Sequence, residues 1–302
     1  MKKLMLFIIF LLVLTCGGCK KNNSIKVLVP NGAPLIAVSG IENDDIILES
    51  VSGPSLLTAA MTSKSHDIIV APITNGVKLY NAKASNYQLH SIITFSNIYI
   101  VSTKTLDSIN DLVGKKIIGY GLNTTPGLIL EKALEKIDKE IEYVSSVSDA
   151  VGYLINQNDE FDYILTAEPT LSNLVYKKNL KLNVLDLSEV VKDEIPLIPQ
   201  AGIFINPDSM YKKEINKYIN QIKENINYLN INPLDHSKKI INTNQWLTDL
   251  GEEIIHKSIP TMNIDFKKAI EYKNQLSIFY DFLNNIDKDI LSGDVDEKFY
   301  YQ

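Results

Sequence analysis

Asp67-Ile68-Ile69-Val70-Ala71-Pro72-Ile73-Thr74-Asn75-Gly76 sets an almost wholly apolar run against a turn of small, hydroxyl and amide residues. A run this short and rich in Ile and Val reads as a strand, and the lack of a polar face implies burial on both sides. The same form occurs five times. An apolar strand ends, small or hydroxyl residues follow, and a helix begins. The turns are Asn31-Gly32-Ala33-Pro34, Ser52-Gly53-Pro54-Ser55, Ala71-Pro72-Ile73-Thr74-Asn75, Gly121-Leu122-Asn123-Thr124-Thr125 and Ala167-Glu168-Pro169-Thr170.

Strands alternating with helices predict a mostly parallel sheet. Strands are expected at residues 25–29, 46–48, 67–70, 89–94 and 98–102, and again at 116–119, 141–144, 161–165, 182–187 and 201–205. Helices are expected at about 56–62, 108–113, 148–156 and 170–177, and from the fourth turn to about 137. Beyond Asn206 the pattern is helical, at roughly 209–231, 233–246, 251–256 and 266–286. The chain therefore reads as two α/β units with a helical C-terminal tail. That tail needs a surface on which to bury its apolar stripes.

The first residues have a different character. Met1-Lys2-Lys3 precedes an apolar run from Leu4 to Leu14, followed by Thr15-Cys16-Gly17-Gly18-Cys19-Lys20-Lys21. A short basic start, a short apolar stretch and small residues before a break form the layout of a secretory signal. The run is shorter than the roughly 20 apolar residues of a spanning helix. Small residues followed by a cysteine resemble the lipobox of bacterial lipoproteins, which implies cleavage before Cys19 and lipid on it, Cys19 standing behind two glycines, with Cys16 as the alternative. No other cysteine occurs in the 302 residues, so the exported chain folds by burial alone. The full chain's net charge of −6, which becomes more negative once Lys2 and Lys3 leave with the signal, argues against a nucleic-acid partner, which would need a basic face.

The chain contains no arginine. It therefore has no planar fork for gripping a carboxylate, phosphate or sulfonate in two places. An anion would fall to helix-start N–H groups, hydroxyls or lysine. In open α/β sheets ligands bind at the carboxyl ends of strands, where such helix starts gather. The same Ser, Thr and Asn residues also serve as plain helix caps, so each turn has two readings. Tyr120, inside the fourth turn, either stacks on a ring or walls the cleft. Glu168 either faces the ligand or caps a helix. His66, His90, His236 and His256 are scattered without metal-ligand spacing. No nucleophile elbow, phosphate loop or dinucleotide fingerprint stands where a strand meets a helix. No catalytic set, metal site or cofactor is expected.

Val29-Pro30-Asn31-Gly32-Ala33-Pro34, Asp67-Ile68-Ile69-Val70-Ala71-Pro72, Leu112-Val113-Gly114-Lys115-Lys116-Ile117 and Leu165-Thr166-Ala167-Glu168-Pro169 follow a stretch similar to a bacterial lipobox. Together they resemble the substrate-binding proteins of ABC importers, in the group that includes nitrate, sulfonate, taurine and thiamine-precursor binders. The resemblance implies a periplasmic-binding-protein type II fold, with two lobes closing on ligand like a hinge. Residues 1–18 would be the signal and 19–23 the lipidated tether. The first lobe would comprise 24–97 plus 201–302 and the second 98–200, with crossovers near 95–98 and 199–201. Ligand contacts would come from Asn31, Gly32, Ala33, Ser52, Gly53, Thr74 and Asn75 on one lobe. Tyr120, Asn123, Thr124, Thr125 and Glu168 would face them from the other. The implied partners are a small-molecule solute, an ABC permease and ATPase, and the membrane through the lipid anchor. The protein would act as a monomer on the extracytoplasmic face. The missing arginine departs from amino-acid and dicarboxylate binders, and Glu168 favours a nitrogen-containing ring over a sulfonate. The competing readings are an enzyme on the same fold, such as a chorismate dehydratase or pyrimidine synthase, and a sensor or adhesin lipoprotein.

Overall fold

Ile68, Ile69, Val70 and Ala71 are all fully buried, in a strand at the interior of a six-stranded sheet. The computed structural model describes residues 24–156, 161 and 163–302. The expected signal and tether, with Cys16 and Cys19, lie outside the described residues.

The first sheet begins with β1 (Ile25–Pro30), α1 (Ala33–Val38), β2 (Ile46–Val51), α2 (Pro54–Ser63), β3 (Ile68–Pro72), α3 (Ile73–Asn81) and β4 (Gln88–Phe95). The chain then crosses into a second sheet through β5 (Tyr99–Ser102), β6 (Lys115–Tyr120), α4 (Thr125–Ala133), β7 (Lys139–Val144), α5 (Val147–Ile155), β8 (Tyr163–Thr166), α6 (Thr170–Ser172), β9 (Asn183–Asp186) and α7 (Leu187–Val190). It returns to the first sheet with β10 (Pro199–Ile205). The tail comprises α8 (Lys212–Ile231), α9 (Pro233–Ile240), α10 (Gln245–Leu250), α11 (Glu252–Ser258), β11 (Ile264–Lys268) and α12 (Lys273–Ile286).

The first sheet is ordered β11-β4-β10-β3-β1-β2 and the second β7-β6-β8-β5-β9. In the first, β1 to β4 run one way, while β10 and β11 oppose them. In the second, only β5 opposes the other four strands. Both sheets are thus mixed rather than mostly parallel, since the strands that oppose the others sit among them. The pairs β1–β2, β1–β3, β6–β7 and β6–β8 are parallel, while β5, β10 and β11 pair antiparallel with their neighbours.

The tail is not purely helical, which corrects the sequence expectation. Residues expected to open a helix at 266 instead form β11, an edge strand paired to β4. Ile264 and Phe266 alternate with Asp265 and Lys267, the two-residue period of a half-buried strand. The helix α12 begins only at Lys273.

Two tail helices cover the sheets. Helix α8 buries Ile215, Tyr218, Ile219, Ile222, Ile226 and Leu229, spaced by threes and fours along one face. Its buried Asn225 donates from Nδ2 to the carbonyls of Ala37 and Ser39 at 2.9 and 3.0 Å, satisfying the end of α1. Fully buried His236 reaches the Ile36 carbonyl from Nε2 at 3.0 Å, so it is a structural group. Leu276, Phe279, Tyr280 and Leu283 of α12 share one apolar cluster with Leu128 and Leu130 of the second sheet's α4. Among the described residues, no helix is long and apolar enough to cross a membrane.

His90 in β4 packs against the rings of Phe266 and Tyr301, with centroids 6.4 and 5.8 Å away. Burial first, and Lys268 second, push its pKa down to about 4. The folded state therefore refuses a proton that the unfolded chain accepts near 6.5. This contribution is intact above pH 6.5 and is lost as pH falls from there through about 4. It amounts to about 3 kcal/mol at most. Urea titrations across that window should show His90→Gln losing less stability on acidification than the parent protein; parallel slopes would contradict the assignment.

Candidate functional site

The route of the chain brings the two carboxyl edges together. The chain leaves the first sheet at Phe95, where β4 ends, and joins the second at Tyr99, which pairs with Thr166 at the end of β8. It returns from Asp186, paired with Tyr99, to Pro199, paired with Phe95. Both crossings run between carboxyl edges, so the turns after β1, β2 and β3 face those after β6, β7 and β8.

The helix starts on these edges differ in whether a side chain caps them. No side chain caps α1, α2, α3 or α4. Ser146 caps α5 and Asn244 caps α10, whereas the tail helices α8, α9, α11 and α12 also start without a side-chain cap. Uncapped first turns leave N–H donors for solvent or a ligand. Gly32 and Gly53 hold φ of 113° and 86° at two of these starts, a backbone region open mainly to glycine.

The expected contact residues divide into free and engaged groups. Asn31 donates from Nδ2 to Ser52 Oγ at 2.9 Å, joining two turns, while its buried Oδ1 has no partner. Ala33 and Thr74 are buried in the first turns of α1 and α3, and Ser52 and Gly53 are exposed. Asn75 is engaged with Thr58 Oγ1 at 3.2 Å, which ties α3 to α2. On the second lobe Asn123 is exposed and Tyr120 half-buried, the latter packed against the main apolar cluster. That contact supports the cleft-wall reading of the ring. Thr124 donates its hydroxyl to the Gly121 carbonyl at 2.7 Å instead of capping α4. Thr125 is buried with an unpartnered hydroxyl.

Thr166, at the carboxyl end of β8, was not among the expected contacts. It is fully buried and its hydroxyl has no partner. Its signal was available: a lone hydroxyl at the carboxyl end of the apolar strand Tyr163-Ile164-Leu165. Leu56 and Leu122, also not among the expected contacts, are 53% and 57% exposed, one on each edge.

Glu168 takes the capping role. Its carboxylate accepts the Ser172 N–H at 3.0 Å, the Ser172 hydroxyl at 3.0 Å and the Thr261 hydroxyl at 2.9 Å. Thr261 belongs to the first lobe's tail, so this carboxylate ties the lobes together. Burial raises its pKa, while the Ser172 and Thr261 hydrogen bonds oppose that rise. Tyr99 also donates to the Thr261 carbonyl at 2.9 Å. At the crossover itself, the Glu168 N–H donates to Asn97 Oδ1 at 2.6 Å and Asn97 Nδ2 donates to the Glu168 carbonyl at 3.2 Å. Ser96 and Asn97 both hold positive φ, 48° and 61°. That conformation costs on the order of 1–2 kcal/mol for a residue with a Cβ, which the surrounding bonds offset.

The turns on these edges carry no lysine, arginine or histidine, and the nearby Asp149, Asp186 and Glu168 carboxylates accept hydrogen bonds within the protein. Helix N-termini carry partial positive charge, worth about 0.3–1 kcal/mol each to an anion when exposed. Removing a full ion from water costs several kcal/mol, and no fixed countercharge stands on these turns. Among the described residues, no group of three His, Cys, Asp or Glu is placed to hold a metal ion.

Asn97→Ala removes both bonds to Glu168 and the residue type best suited to a left-handed site. Denaturant unfolding should show a loss of about 2–3 kcal/mol, with Asn97→Asp recovering part of it through the Glu168 N–H; an unchanged midpoint would refute this account of the crossover.

No family model and no curated protein sequence matches the chain. Solved structures do. An ABC transporter structure from Parabacteroides distasonis aligns over 93% of this chain and 99% of its own, at 20% identity and a TM-score of 0.77. The periplasmic aliphatic sulphonate binding protein of Escherichia coli aligns over 93% and 92%, at 12% identity and a TM-score of 0.69. The ligand binding component of an ABC-type import system from Staphylococcus aureus, solved with zinc bound, aligns over 86% and 91%, at 15% identity and a TM-score of 0.63. The two-lobed α/β architecture of this chain is the fold of the periplasmic substrate-binding proteins of ABC importers.

Proposed function

We propose that the chain is the extracytoplasmic solute-binding lipoprotein of an ABC-type importer, held to the cell membrane by lipid on Cys19. It captures a small molecule between its lobes and hands it to a permease driven by an ATPase, acting as a monomer and catalysing no reaction. One observation carries this reading: four uncapped helix starts stand on two carboxyl edges that face each other across a double crossover. Such an arrangement offers donors to a ligand from both sides and lets the lobes close on it. The turns on the two edges hold no histidine or cysteine, and the carboxylate best placed for proton transfer, Glu168, is engaged by three internal donors. Both facts favour capture over chemistry.

A ligand that binds only the folded protein adds about 2.7 kcal/mol at a hundredfold excess over its Kd. Thermal unfolding combined with small-angle scattering should reveal a solute that raises Tm and shrinks the radius of gyration together. Thiamine-pathway pyrimidines, riboflavin, taurine, alkanesulfonates, nitrate and amino acids form the starting panel. A rise in Tm with an unchanged radius would argue against lobe closure.

For the anchor, cells fed an alkyne-bearing palmitate should label the parent protein and Cys16→Ala. Cys19→Ala should stay unlabelled and be released from the membrane. Retained label in Cys19→Ala would transfer the anchor to Cys16.

A further inference from the structure

Resting on the solute-binding reading, we infer that the ligand is electroneutral: a small molecule with hydrogen-bond acceptors, an N–H or O–H donor and an apolar face. The turns on the two facing edges contain no lysine, arginine or histidine. A bound anion would therefore meet no formal countercharge. The helix starts cannot fully take that place, because three of the four uncapped ones carry proline in their first two positions: Pro34, Pro54 and Pro126. Proline has no N–H, so each removes a donor that an anion would use.

A cation fares no better. Three carboxylates at these edges, Asp149, Asp186 and Glu168, already accept hydrogen bonds from neighbouring groups, which lowers what a cation gains from them. Asp149 accepts from Ser146 Oγ at 2.8 Å, and Asp186 accepts from the Ser188 N–H and hydroxyl at 2.8 and 2.6 Å. Glu168 is engaged by Ser172 and Thr261. The partial positive charge of the helix starts further disfavours a cation.

The groups left over are neutral. Asn31 Oδ1, Thr125 Oγ1 and Thr166 Oγ1 are buried and without partners. Unpaired polar atoms in a protein interior are costly, and these three stand on the two edges that face each other. Asn31 Oδ1 accepts a donor, and the threonine hydroxyls, with the remaining helix-start N–H groups, donate to acceptors. Leu56 and Leu122 supply apolar contact from opposite edges. This is the lining of a site for an uncharged polar ring or its like.

The test separates solutes by charge without naming one in advance. Yeast extract is split at pH 7 into an anion-exchanger-bound fraction, a cation-exchanger-bound fraction and the flow-through of both. Each is added to purified protein that has been stripped of solute by unfolding and refolding. The flow-through alone should raise Tm. Asn31→Ala and Thr125→Val, the latter close to isosteric, should each need at least a tenfold higher concentration of that fraction for the same shift. A shift from either bound fraction overturns the neutral ligand. An undiminished shift in both variants overturns the assigned groups. No shift from any fraction, in protein that unfolds cooperatively, instead removes the solute-binding reading beneath both.

Discussion

Asn97 grips the backbone of Glu168 by donating and accepting one hydrogen bond each way, and the meeting of the two sheets depends on that grip. The crossover that carries Asn97 is buried from Phe95 to Tyr99, so its polar groups need partners inside the protein. Glu168 provides two with its backbone and, through its carboxylate, reaches Thr261 on the other lobe. Ser96 adds a bond from its N–H to the Ile198 carbonyl at 2.7 Å, joining the outgoing crossover to the returning one. Two adjacent residues with positive φ turn the chain sharply here, and the hydrogen bonds make that turn the lowest-energy choice. Both carboxyl edges consequently face the same space.

The tail completes what the sheets cannot do alone. A sheet apolar on both faces must be covered twice. Helix α8 covers one face of the first sheet through its aliphatic stripe, and Asn225 ties it to the end of α1. Helix α12 lies in the opposite cluster, which continues without a break into the second lobe's α4. The chain end is drawn in as well: Phe299 is fully buried between the rings of Tyr80 and Phe204. One apolar cluster therefore spans both lobes, alongside the polar contacts from Glu168 and Lys177. Lys177 donates to the Asp249 carbonyl at 2.7 Å across the same seam.

The electrostatic character of the facing edges follows from composition and position together. A chain without arginine must leave any anion to weaker devices, and here the lysines stay off the facing turns. Carboxylates on those edges are bonded to nearby hydroxyls and N–H groups. The result is a polar surface whose turns carry no basic side chain and whose named carboxylates are hydrogen-bonded within the protein.

The alternation of buried strands and helices, the positions of the strand–turn–helix junctions and the absence of any bidentate cation are all readable from the residues alone. Those properties are local: they reside in runs of a few residues, or in composition. The edge strand Ile264–Lys268 was legible too, through its two-residue period, yet the surrounding helical pattern obscured it. Only the tertiary structure decided which junction residues remain available. Glu168 and Asn75 look as free as Asn31 and Thr125 when read along the chain. Their partners Thr261 and Thr58 lie 93 and 17 residues away. A hydrogen bond is satisfied in space and leaves no mark on the spacing of either residue, so occupancy of a polar group is settled only when distant segments pack.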